Sequence, residues 1–75
     1  MKTVEIEWLD SYGLGPTWET KDYMEPLIPS CIRSIGFLVE TTKTHTTIAQ
    51  SASSEQVAGR LCIPSGCIKR IRKIS

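Results

Sequence analysis

The chain contains no apolar run of about 18 residues, the length a membrane-spanning helix needs, so no membrane span is expected. Its opening residues, Met1-Lys2-Thr3-Val4-Glu5-Ile6-Glu7, put acids where a secretory signal would carry an apolar core, and no such signal is expected. Cysteine is scarce and odd in number. Cys31, Cys62 and Cys67 are too few for a disulfide scaffold, and free thiols in a reducing cytoplasm are the expectation. There is one histidine, His45. The only glycine-rich stretch, Gly13-Leu14-Gly15-Pro16, reads as a turn rather than a phosphate loop, because proline removes a donor. The carboxylates show no pairing, and no nucleophile stands beside a base. No catalytic residues and no cofactor are assigned, and the expected class is not an enzyme.

What is there is a chain of 75 residues, enough for one domain, residues 1–75. A domain of this size buries only about 60% of its unfolded surface and is marginal alone. Disulfides being ruled out, a homo-oligomer is the expected remedy. Charge is unevenly spread. Residues 1–37 carry a net −3 and residues 38–75 a net +4. Unlike patches suit self-association between copies, while two ordinary solvated faces read equally well.

Thr3 to Leu9 alternates, with Val4, Ile6 and Trp8 on one side and Glu5 and Glu7 on the other, as in a half-buried strand. Residues 11–16 form a loop. Thr17 is placed to cap a short helix from Trp18 to Met24, ended by the proline at Pro26. Cys31 to Glu40 is the strongest strand, with Ile35, Phe37 and Val39 on one face and Gly36 opening the other to a bulge or a close backbone approach. Residues 41–44 turn the chain into a return strand, His45 to Ser51. Val57 to Ile63 alternates again. Pro64-Ser65-Gly66 interrupts it, with room for one helical turn at Ser65–Ile68, and the last segment closes the chain. Its isoleucines at 68, 71 and 74 recur every third residue, but the β-branched content favours a strand. Charges on both of its faces suit a sheet edge or a subunit contact. The expected fold is mainly β: a small SH3/Sm-like five-stranded antiparallel barrel with one short α-helix between the first and second strands.

Surface chemistry supplies the candidate ligand-binding residues. Tyr12 and Trp18 flank the Gly-Pro loop, and an exposed aromatic can stack on a nucleobase. Alternatively Trp18 packs the helix onto the barrel. Arg33, Lys43, Arg60 and Lys69, with the rest of the tail Arg70-Ile71-Arg72-Lys73, are the candidate phosphate partners, and His45 is a further one. Cys62 and Cys67 flank a turn, but the spacing is not that of a zinc knuckle. All three cysteines are expected to be buried packing residues, and no metal is assigned.

Glu7-Trp8-Leu9-Asp10-Ser11, Trp18, Ser34-Ile35-Gly36-Phe37-Leu38, Ile48-Ala49-Gln50-Ser51 and Ile63-Pro64 followed by Gly66-Cys67-Ile68 together resemble a group of small, mostly uncharacterised proteins of tailed bacteriophages. The strand plan is also similar to the Sm/Hfq-like short barrel, whose rings bind RNA, although here the helix falls between the first two strands. The phage resemblance implies an accessory protein acting in the host cytoplasm, plausibly an oligomeric sponge for a nucleotide signal of bacterial immunity. Two other classes remain open: an Sm-like ring that binds RNA or DNA, and a virion-structural or host-protein-binding module.

Overall fold

The structure is a computed structural model and describes residues 1–16 and 18–75. Five strands, β1 (Thr3–Asp10), β2 (Ser30–Thr41), β3 (His45–Ala52), β4 (Val57–Pro64) and β5 (Ile68–Lys73), form one antiparallel sheet in the order β4-β3-β2-β1-β5. Each strand begins and ends within two residues of its expected place, because the alternating runs are bounded by residues that cannot extend a ladder. Val4, Ile6 and Trp8 do face one side and Glu5 and Glu7 the other, and β5 is an edge strand as its two-sided charge implied.

β2 serves two halves of the sheet. Ser30–Phe37 pairs with β1, and Phe37–Thr41 pairs with β3. The strand turns between them at a bulge around Val39, where the register slips between Leu38 and Glu40. Gly36 lies just before it. A Cβ there would stand 2.8 Å from the Ala49 carbonyl oxygen, so the crossing of β2 and β3 requires a residue without one. The expected bulge and close approach are both present.

The sheet is open: among the described residues no ladder joins β4 to β5. It is nevertheless curled. The outer strands of a flat five-stranded sheet stand about 19 Å apart, four spacings of roughly 4.8 Å. Here they are joined through a single 3-10 turn, Ser65–Cys67, which advances only about 6 Å at roughly 2 Å per residue. The Ser65 amide donates to the Thr44 carbonyl at 2.8 Å and pins this crossing to the β2–β3 turn. The core lies inside the curl. Val4, Ile6, Ile48 and Ile63 are buried there, with Trp8, Leu38, Cys67 and Ile68 packed against them. Trp8 Nε1 donates to Ser34 Oγ at 3.0 Å, so its polar edge is satisfied.

Two expectations are corrected, and the facing of one strand is settled. Where a helix was expected from Trp18 to Met24, only a 3-10 turn at Lys21–Tyr23 stands, preceded by an extended Thr20. Two turns of helix need a packing partner to offset nucleation, and Trp18, Tyr23 and Met24 are all exposed. Trp18 therefore does not pack onto the sheet; the proposed cap, Thr17, lies outside the described residues. The cysteines are not a buried set. Cys31 and Cys62 are exposed and Cys67 is half-buried. Cys31 pairs with Leu9 and Cys62 with Thr47, positions on the outer face of the sheet. The apolar row of β2 also turns outward. Val4 opposite Gly36 and Ile6 opposite Ser34 bring the even-numbered residues of β2 to the core, leaving Ile35 61% exposed.

The molecule is elongated, 55 × 21 × 20 Å, with a radius of gyration of 16.2 Å. A compact chain of this length has about 11 Å.

Candidate functional site

The strand pairing builds one concentrated charged site, on the outer face of β5-β1-β2. Alternation along β1 sends Glu5 and Glu7 outward. β5 runs antiparallel to it, so Arg72 stands opposite Glu5 and Arg70 opposite Glu7; on the other flank, Arg33 of β2 stands opposite Glu7 and diagonal to Glu5. Opposite positions on adjacent strands put side chains about 5 Å apart, within reach of an ion pair. Arg33 Nη2 donates to Glu5 Oε2 at 2.7 Å, Arg72 Nη2 to Glu5 Oε1 at 3.0 Å, and Arg70 Nη2 to Glu7 Oε1 at 2.6 Å.

Glu5 is the centre of this ladder. It is only 3% exposed, covered by its two arginines, and both carboxylate oxygens are occupied. The hydrogen bond from Arg33 holds its carboxyl below the usual glutamate range; burial opposes this, and the charges of Arg33 and Arg72 add to it. The same hydrogen bond raises Arg33 further above its ordinary value.

The arginines are not used up. Their side chains remain 66%, 61% and 58% exposed at Arg33, Arg70 and Arg72. A guanidinium carries five N–H donors, and each of these makes one hydrogen bond to a carboxylate. Three arginines against two glutamates leave a net positive face with donors directed at solvent. Such a row can hold an anion with several oxygens, phosphate above all, on side chains already fixed by their glutamates.

Of the candidates Tyr12, Trp18, Arg33, Lys43, His45, Arg60 and Lys69, only Arg33 belongs to this row, beside Arg70 and Arg72 of the basic tail. Tyr12 and Trp18 lie in the long β1–β2 connection, both exposed. Lys43 and His45 lie at the β2–β3 turn, beyond the other end of β2, a strand of twelve residues spanning roughly 37 Å if straight. There His45 Nε2 is 3.1 Å from Glu40 Oε1 and Nδ1 is 2.9 Å from Thr44 Oγ1, so the ring is engaged in the turn. Arg60 is on β4 and Lys69 on β5, at opposite edges of the ladder. One protomer does not gather these seven residues. Among the described residues no group of three potential metal ligands occurs either.

Glu5 and Glu7 are the members of the row that pattern reading passed over; Arg70 and Arg72 it named only within the basic tail. The available signal was two same-sign pairs at i, i+2, acidic in the first strand and basic in the last. Their meeting also changes the meaning of the charge split, since part of it is neutralised within the chain. No family model, curated protein or solved structure matches the chain.

Proposed function

We propose that this is a non-enzymatic, homo-oligomeric protein that binds a phosphate-bearing nucleotide on the arginine row, and that its curled sheet works as a short SH3/Sm-like barrel. The observation that carries the ligand reading is the row itself: Arg33, Arg70 and Arg72, each held by a glutamate and each with donors left over. Oligomerisation is supported by the few apolar residues buried among those described, Val4, Ile6, Ile48, Ala49 and Ile63, a small core for a chain of this length. Sequestration of an immune nucleotide signal is the form of this reading that the phage resemblance implies.

Calorimetry against a panel of cyclic oligonucleotides and ADP-ribose-derived signals tests it. Binding that Arg70→Ala weakens supports the reading, and a folded protein that binds nothing in the panel counts against it.

A second reading, a nucleic-acid-binding ring, is favoured by one observation: β4 and β5 each leave an open edge on a sheet already curled. Its discriminator is salt. Contacts to a run of phosphates release counterions, so affinity for single-stranded oligonucleotides falls steeply and linearly on a log–log plot. A shallow slope with a small cyclic ligand preferred favours the first reading.

A further inference from the structure

The β1–β2 connection, residues 11–29, is 19 residues long and, among its described residues, holds a single 3-10 turn. Connections beyond about 12–15 residues without structure of their own are uncommon in compact domains and usually functional. This one is rich in apolar side chains, and Leu14, Trp18, Tyr23, Leu27 and Ile28 are each half exposed or more. Trp18 is 98% exposed, so it is covered by almost nothing in its own chain. The segment is also acidic, with Glu19, Asp22 and Glu25 against Lys21, a net −2, while the rest of the chain carries +3 of the total of +1.

A receptor for it lies at the same end of the molecule. β1 and β3 both run antiparallel to β2, so the arm that follows β1 and the tip that follows β3 emerge at one end of the sheet. The β2–β3 pairing stops at Phe37 opposite Ala49, while β3 and β4 continue together to Ala52 opposite Val57. The hairpin end thus stands clear of β2, and a recess of about 560 Å³ opens on it, lined in part by Ala52, Val57 and Ala58. Arg60 is on the strand leading away from that tip.

The chain presents 6144 Å² to solvent. A compact monomer of 8.4 kDa presents about 4,600 Å². The excess is roughly 1,500 Å² per chain, about 3,000 Å² for a pair, which falls in the roughly 2,000–5,000 Å² total that obligate homodimer interfaces bury. A two-fold axis near this end would lay each arm on the other's hairpin, using both surfaces of both copies at once.

We propose that the arm of residues 11–29 seats on the β3–β4 hairpin of a second copy of this chain, with Trp18 in the recess lined by Ser51, Ala52, Ser53, Gln56, Val57 and Ala58 and the arm's acids toward Arg60. This rests on the homo-oligomer part of the reading above and gives Trp18 a protein contact in place of a nucleobase.

The test uses the full chain and follows assembly by light scattering and sedimentation from micromolar to millimolar concentration. Wild type assembles. Trp18→Ala and Val57→Lys each weaken assembly by roughly 30-fold or more, as loss of a central aromatic anchor does. Because Trp18→Ala keeps an intact hairpin and Val57→Lys an intact arm, mixing the two restores one junction, and mixed dimers form. Circular dichroism checks that each variant is folded; Trp18→Ala removes a side chain with no partner in its own chain and remains the decisive variant if Val57→Lys unfolds. If Trp18→Ala assembles like wild type, the arm contact is wrong and the homo-oligomer reading survives. If wild type stays monomeric up to millimolar concentration, both are wrong.

Discussion

Glu5 and Arg33 stand 28 positions apart in the chain and meet at 2.7 Å across the first two strands, with the carboxylate buried and most of the guanidinium exposed. That asymmetry links stability to function. The acid holds the arginines in place, and the arginines keep most of their surface exposed, where the proposed ligand would bind. The same row closes the chain on itself, because Arg72 reaches Glu5 from 67 positions away.

Stability should therefore depend on pH through Glu5. Its carboxyl titrates below its unfolded value, chiefly because of the hydrogen bond from Arg33. The unfolded state thus binds the proton more readily, and the ladder's contribution is fully present above that value and lost as pH falls through the lowered native one. Denaturant unfolding measured from pH 7 to 3 should show stability falling on the acid side. Glu5→Gln should lower stability at pH 7 and flatten the acid limb. An unchanged limb would mean that Glu5 is not the group responsible.

The facing of β1 and β2 gives a second expectation. Ile6 and Ile63 are fully buried, so Ile6→Ala or Ile63→Ala should cost about 2–5 kcal/mol in chemical denaturation. Ile35→Ala, in the outward row of β2, should cost no more than about 0.5 kcal/mol. The reverse ranking would mean that the sheet faces the other way.

Gly36→Ala should destabilise by about 1–3 kcal/mol, since its Cβ would meet the Ala49 carbonyl oxygen and also come within 3.3 Å of the Ile48 side chain. Gly15→Ala meets nothing within 4 Å and should be neutral or slightly stabilising. Thermal melts of the two variants make the comparison.

The thiols should differ in a native-state titration with a disulfide reagent. Cys31 and Cys62 should react promptly, and Cys67, packed against the core beside Ile68, more slowly. Three equally protected thiols would restore the buried set expected from their apolar neighbours.

Much of the fold was legible because it is written locally. Val4-Glu5-Ile6-Glu7-Trp8 alternates, Pro64-Ser65-Gly66 ends a ladder, and Gly36 interrupts an apolar strand. The facing of β2 was harder, because Ile35, Phe37 and Val39 look like a core row and only the register against Val4 and Ile6 turns them outward. The arm misled for a related reason: Trp18 to Met24 has a helix's punctuation but no packing partner in its own chain. The candidate site was legible at Arg33 and, less sharply, in the basic tail that holds Arg70 and Arg72. Glu5 and Arg72 become neighbours through the pairing of the first and last strands, a long-range contact that no local pattern encodes.

The arginine row as a phosphate-binding face is the central claim, and titration calorimetry of wild type and Arg70→Ala against the cyclic oligonucleotide and ADP-ribose panel tests it most directly. Arg70 is the variant of choice because its partner Glu7 is partly solvated, so its loss leaves Glu5 covered. The account predicts binding to at least one ligand by wild type and roughly 10-fold or more weaker binding by Arg70→Ala, the scale of a lost charge-assisted hydrogen bond. Equal affinity in the two proteins, or no binding by folded wild type across the panel, would contradict it.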